Sequence, residues 1–133
     1  MSTIFDKIIK KELPAEIIVE QQHMIALLDV RPVYPGHTLV LPKTGVDHFF
    51  ELAPTTLSSL ILFAQKIAHL LKCKLKISRV GMVVEGFEVP HAHIHLLPLA
   101  RGHTASLNGS RPRVSRKELA MMGNFLRNSF PEK

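Results

Sequence analysis

Three histidines stand at every second position in the stretch VPHAHIHLLPL, residues 89–99: His91, His93 and His95. Two is the period of a β-strand, so the three imidazoles share one face while Ala92, Ile94 and Leu96 take the other and enter a core. Neutral imidazole is a good nucleophile near pH 7, and its protonated nitrogen is a hydrogen-bond donor. One chemistry is therefore attack on phosphorus. His93, with a partner on each side, is the better nucleophile, and its second ring nitrogen needs a hydrogen bond that fixes the tautomer, most simply to a backbone carbonyl. The other chemistry is metal binding. Same-face neighbours are about 6.6 Å apart at the backbone and the outer pair about 13 Å, so one ion with bonds of about 2 Å takes two adjacent histidines at most. Further ligands would have to come from elsewhere, and Glu85, Glu88, His48 and His103 show no ligand spacing of their own. A solvated polar strand explains one such histidine more easily than three in register.

The elements that must hold this strand follow from local patterns. Ile4, Phe5, Ile8 and Ile9 have helical spacing and predict a short helix that ends before Pro14. Strands are predicted at about residues 17–20 and 24–29, joined by a polar turn at Gln21–Gln22. The Pro35–Gly36 turn feeds a strand at about 38–42. Leu57, Leu60, Ile61, Ala64, Ile67, Ala68 and Leu71 form one helical stripe, with a threonine cap at 55–56. SRVGMVVEG is β-rich and runs into the histidine strand. ARGHTASLNGSRPRV is polar and Gly/Ser-rich and predicts a loop. Ser115 and Glu118 form a capping box opening a terminal helix from about 116 to 128, weakened by Gly123. The order α-β-β-β-α-β-β-α, with hairpin connections, predicts an antiparallel sheet packed with helices, the α+β class.

A chain of 133 residues suits one domain, here 1–133, and is long enough for a core without disulfides. The single cysteine, Cys73, fits a reducing compartment, and the lack of a leader or long apolar run predicts a soluble, cytoplasmic protein with no membrane partner. Seventeen basic against eleven acidic residues give a net charge of +6, which attracts anions. With one tyrosine and no tryptophan, stacking platforms for nucleic acid are thin, and no recognition-helix or zinc-finger pattern is present.

HAHIHLL is similar to the His-φ-His-φ-His-φ-φ signature of the histidine triad (HIT) family. IFDKIIKKELPAEIIVE, ALLDVRPVYPGHTLVLPK and the long helix resemble that family in the same order, over roughly residues 4–100. The likeness is nearest to its Hint-like branch, small homodimeric nucleoside phosphoramidases and nucleotidyl hydrolases. The resemblance implies a HIT-like fold with about five antiparallel strands per subunit. It also implies a nucleotide hydrolase or transferase that acts on the α-phosphate of nucleoside phosphoramidates or dinucleoside polyphosphates. His93 would form a covalent nucleotidyl intermediate, His91 would orient and support it, and His95 would donate to the phosphate. Asp29 would accept hydrogen bonds from ribose, and Ile4, Phe5, Ile8, Leu27 and Leu28 would line the base pocket. The residue-level alternatives are ordinary core for those apolar positions and a turn cap for Asp29. The implied partners are a purine nucleotide or conjugate and a second copy of the chain, with no cofactor. The alternative function is a purine-nucleotide-binding protein with weak or no turnover. A third is a metal-binding protein using two of the histidines.

The chain also departs from the family. Gly45 stands where many members have a histidine, and His48 lies three residues on. Asp6 replaces the first of two cysteines that serve a structural zinc in some members, so no such site is expected. Before the triad the run is MVVEGFEVPHAH: Val84 replaces an amide, and Phe87–Glu88 replace a polar pair that contacts phosphate. A negative Glu88 beside phosphate is unfavourable unless protonated or turned away. His37 is expected to be structural, His69 exposed on the long helix, and His23 in a hairpin turn. His103 is a candidate for reaching the site, from the partner subunit or its own.

Overall fold

Thr3 and Asp6 close a reciprocal cap at the start of the chain. The Thr3 hydroxyl accepts from the Asp6 N–H at 3.1 Å, and the Asp6 carboxylate accepts from the Thr3 N–H at 2.9 Å. The helix they open, α1, spans Ile4–Ile9 and ends before Pro14 as predicted. In this computed structural model residues 2–108 and 111–127 are described. The order continues through β1 (Ile17–Glu20), β2 (Met24–Leu28), β3 (Thr38–Pro42), α2 (Pro54–Leu75), β4 (Arg79–Val83), β5 (Ile94–Leu99) and α3 (Arg116–Arg127). This is the α+β arrangement read from the sequence, with one addition, a 3₁₀ turn at Phe49–Glu51. The last residue of the predicted terminal helix, 128, lies outside the described residues.

The five strands form one antiparallel sheet in the order β1-β2-β3-β5-β4. Its two faces separate by parity. Ala26, Leu28, Val40, Ile94 and Leu96 face α2 and pack against Leu60, Phe63, Ala64, Ile67, Leu70 and Leu71. Ile25, Leu27, Leu39 and Leu41 face the other way and pack under Phe5 and Ile8 of α1. Two details of α2 correct the sequence reading. Its buried stripe includes Phe63 and Leu70, while Ile61 is exposed. No side chain caps it: Ala53 is the cap residue, and Pro54, whose φ is already helical, starts the first turn in which Thr55 and Thr56 sit. Gly123 of α3 lies against Glu16, which leaves no room for a side chain there.

Candidate active site

The histidine row begins three residues before its strand, β5. The β3–β5 ladder pairs Leu39 with His95 and Val40 with Ile94, then stops. Pro42 has no N–H with which to extend it. His91 and His93 therefore precede β5, which corrects the expectation of three histidines inside one strand. The alternation still holds. Ala92 is in the α2 core and donates its N–H to Val46 O at 2.7 Å, while the His91 and His93 rings lie edge-on to Phe5 of α1, at 5.8 and 5.0 Å between centroids. His93 and His95 rings are 4.8 Å apart. All three histidines are buried, at 1%, 5% and 5% exposure. His93 nonetheless lines a cleft of about 220 Å³ with His48, Glu85 and Phe87.

The hydrogen bonds fix which nitrogen carries each proton. A carbonyl only accepts, so His93 Nδ1, at 2.6 Å from His91 O, is the protonated nitrogen and Nε2 keeps a free lone pair. This is the backbone carbonyl anticipated above, and it belongs to His91 itself. His91 Nε2 likewise donates to Pro42 O at 2.8 Å. Its Nδ1 is buried without a hydrogen-bond partner, and Asp6 Oδ1, at 3.7 Å, is too far to serve. A second chain starts at the Val33 N–H, which donates to His37 Nδ1 at 3.0 Å. His37 must then carry its proton on Nε2, which donates to His95 Nδ1 at 2.9 Å. His95 in turn carries its proton on Nε2. The site thus presents one bare imidazole nitrogen beside one imidazole N–H.

Burial favours the neutral form of His93, His95 and His37. It pushes His95 down to about 3, with the charges of His93, His37 and Arg111 adding to the effect. It pushes His37 down to about 4 against the opposing pull of Asp29. His93 is lowered for the same reason, partly offset by its hydrogen bond to His91 O. His37, expected to be merely structural, thus belongs to the site. The Pro35–Gly36 turn presents it: Gly36 has φ of 89°, and a Cβ there would meet Leu75 Cδ1 at 2.6 Å.

Asp29 divides its two oxygens. Oδ1 accepts from the Arg31 N–H at 2.8 Å, the turn-capping role, and Oδ2 lies 3.5 Å from both His37 Nε2 and Arg111 Nη1. Among the residues expected in a base pocket, Phe5, Ile8 and Leu27 come together beneath α1. Ile4 on the same helix is 49% exposed. Leu28 is not with them: neighbours in a strand point to opposite faces, and Leu28 lies in the α2 core. Arg111, which sequence reasoning passed over, reaches from the segment just before α3 to Glu88, with Nη2 at 3.2 and 3.4 Å from its carboxylate oxygens. Glu88 is thus paired, and its need for a cation was the available signal.

Asp6 and His91 bring two donors to the place where some members of the resembling family hold zinc, and Gly45 beside them adds none. Cys73 is exposed on α2, so the residues present do not fit that metal. Among the described residues, Asp29, His37 and His95 are the three-donor set, within 4.8 Å of one another, but the two histidines already bond each other directly and Arg111 stands beside the carboxylate. Of the other histidines, His48 is exposed yet reaches the cleft of His93. His103 does not reach the triad of its own chain. It stacks on Tyr34 at 4.1 Å, and its Nδ1 accepts from the Ala100 N–H. His69 is exposed as expected, and His23 lies in the expected turn, between β1 and β2.

Comparison with known proteins agrees with this geometry. The family model of the HIT domain matches residues 10–102. An uncharacterized HIT-like protein of Methanocaldococcus jannaschii is 38% identical over 104 residues, 74% of this chain and 80% of that protein. A hypothetical histidine triad nucleotide-binding protein from Sulfolobus tokodaii superposes with a TM-score of 0.83 at 25% identity, over 95% of this chain and 90% of the other. A HIT family hydrolase from Clostridium thermocellum does so with a TM-score of 0.67 at 28% identity, over 80% and 97%.

Proposed function

The chain belongs to the HIT domain family, and from that premise we propose that it is a nucleotide hydrolase or transferase of the Hint-like kind. It acts on the α-phosphate of a nucleoside phosphoramidate or dinucleoside polyphosphate. One observation carries this reading: hydrogen bonds leave Nε2 bare on His93 and protonated on His95. The His93 Nε2 lone pair attacks the α-phosphorus. The bond to the leaving group breaks, and that group departs with the electron pair and takes a proton from solvent. A nucleotidyl-imidazole remains. Water then attacks phosphorus and gives a proton to solvent, the P–N bond breaks with its electron pair returning to Nε2, and the mononucleotide and neutral His93 are released. The His95 Nε2–H donates to a phosphoryl oxygen as charge builds there. Asp29 Oδ2 accepts from ribose, and Phe5, Ile8 and Leu27, with Ile4 at the rim, form the apolar wall for a purine. The single domain acts as a cytoplasmic homodimer, and no helix of the described residues is long and apolar enough to cross a membrane.

The test is a rapidly quenched reaction with an adenosine phosphoramidate, read by mass spectrometry. A gain of one nucleoside monophosphate on the peptide holding residues 91–95 is expected. No adduct, with turnover equal in His93→Ala, removes the proposal. A nucleotide-binding protein with feeble turnover is the second reading. It is favoured by Val84, which packs against the α2 core where the family often has an amide.

A further inference from the structure

Arg111 and Glu88 form an unequal pair. The Arg111 side chain is 9% exposed and the Glu88 side chain 79%. Arg111 Nη1 is anchored to Arg31 O at 3.0 Å and lies 3.5 Å from Asp29 Oδ2. The backbone holds the two segments together as well: Arg31 Nη1 donates to Arg111 O at 3.4 Å, and the Val114 N–H donates to Val30 O at 3.1 Å. Nη2, by contrast, meets only the exposed carboxylate of Glu88 among the described residues. Removing Glu88 from this pair costs little, because its carboxylate is already mostly in water and such pairs are weak. Removing Arg111 would break several fixed contacts. The guanidinium therefore stays, and Glu88 is the partner free to leave.

The chemistry of what replaces Glu88 follows. A guanidinium fork matches carboxylate and phosphate alike, two oxygens to two N–H groups. The ligand group nearest Arg111 is set by its neighbours. On one side is Asp29, the acceptor for ribose, and on the other the 88–95 segment that ends in the triad. A 5′-phosphate lies between a ribose and the attacking nitrogen by its own covalent structure. Arg111 also acts electrostatically on both His37 and His95, so its charge is felt inside the site.

We propose that Arg111 is the phosphate-binding residue of this site and that the Glu88 carboxylate occupies the phosphate position until a nucleotide displaces it. The proposal rests on the nucleotide reading above and sharpens it. The α-phosphate is met by a fixed guanidinium and the His95 N–H, in place of the polar pair that this chain lacks. Glu88 ceases to be an obstacle to phosphate: it neutralises the Arg111 cation and yields to a better anion. The site selects nucleotides over nucleosides.

The experiment is calorimetric binding of adenosine and of adenosine monophosphate, at low salt, to the full chain and four variants. Arg111→Ala weakens the monophosphate about tenfold or more and leaves adenosine within about twofold. Arg111→Lys restores part of the loss, since it returns the charge without the fork. Glu88→Gln tightens the monophosphate roughly two- to fivefold by removing the competitor. In the double variant that gain disappears, because no guanidinium is left to compete for. Equal weakening of nucleoside and nucleotide by Arg111→Ala would show a structural residue and overturn the proposal. So would a Glu88→Gln gain that persists without Arg111, which is simple repulsion, or a wild-type chain that binds both ligands equally or neither. Monophosphate binding that depends on Arg111, in a protein that forms no adduct on His93, would instead leave this proposal standing and remove the catalytic one.

Discussion

Under α2 the sheet is sealed by aliphatic and aromatic side chains. The other side holds three buried imidazoles, His91 and His93 just before β5 and His95 within it, together with the His37 ring from the loop before β3. Both layers are buried, but they are held differently. Ile67 or Leu71 can be satisfied by any apolar neighbour of suitable shape, since dispersion and burial have no direction. A buried imidazole needs a partner in a fixed direction: His91 donates to Pro42 O, His93 to His91 O two residues back, His37 accepts from the Val33 N–H, and His95 accepts from the His37 ring. One face therefore specifies stability and the other specifies proton position. Substitutions on the two faces should separate stability from turnover.

The largest effect is expected from His93→Ala. Loss of the attacking nitrogen should lower kcat by at least about 10³-fold, while thermal melting stays close to that of the parent. Leu71→Ala is its mirror image. It should destabilise by about 2–5 kcal/mol through lost burial and a cavity, measured by urea unfolding, with kcat per folded molecule unchanged. If either variant moves both quantities together, the faces are coupled and the division fails.

His37→Ala falls between these two and tests whether proton position is a property of the second hydrogen-bond chain. Without His37, His95 Nδ1 has lost its donor and the ring is free to carry its proton on either nitrogen. We expect kcat to fall by about tenfold and stability to fall by about 1–3 kcal/mol, as the Val33 N–H is left unpaired. His37→Phe should match the stability loss no better, because it fills the space and still leaves that N–H without an acceptor. A His37→Ala enzyme with full kcat would mean that the His95 tautomer does not matter.

The histidine face should also respond to pH where the α2 face does not. His37 and His95 have folded values of about 4 and about 3, below the unfolded value of about 6.5. The unfolded chain therefore binds protons first as pH falls. The stability these rings contribute is complete above about pH 6.5 and is lost progressively toward pH 4 and 3, by on the order of a few kcal/mol. Since His93 is lowered too, the acid limb of kcat/KM should lie below the ordinary imidazole range. Urea melts at pH 7.5, 6 and 5, beside a pH–rate profile, check both signs. Stability that rises on acidification would contradict the burial argument.

The sequence disclosed the parts that are local. Period two marked the histidines, helical spacing marked α1 and α2, and the position of His93 between two neighbours marked the residue proposed as nucleophile. It misplaced Leu28 beside Leu27, an error that parity alone would have caught. It exchanged Ile61 for Phe63 and Leu70 on α2, because several stripes of a hydrophobic helix look alike before a sheet selects one. The residues it undervalued act at long range. His37 meets His95 across 58 positions and Arg111 meets Asp29 across 82, and no local pattern encodes such pairs. The pre-triad Glu88 was a clue to Arg111, since a carboxylate near an anion site calls for a cation.

The smallest expected effect lies at the rim of the apolar face, where α3 crosses β1. Glycine in a helix ordinarily costs about 1 kcal/mol relative to alanine, so on propensity alone Gly123→Ala should stabilise. Here a Cβ would overlap Glu16, including its Cγ, which cannot swing away as a carboxylate end can. Glu16 would have to shift, and with it the ion pair to Arg127 at 2.6 Å. Arg127 also donates to Ile17 O at 2.8 Å and so ties α3 to the edge strand. The propensity gain is offset by the lost clamp and by the strain of close packing, each of similar size. We expect a net loss of about 1 kcal/mol in urea unfolding, with kcat unchanged. Gly123→Ala combined with Glu16→Ala should recover the propensity gain by removing the overlap. A single variant more stable than the parent would show that α3 rests on the sheet loosely, and that the apolar face ends at α2.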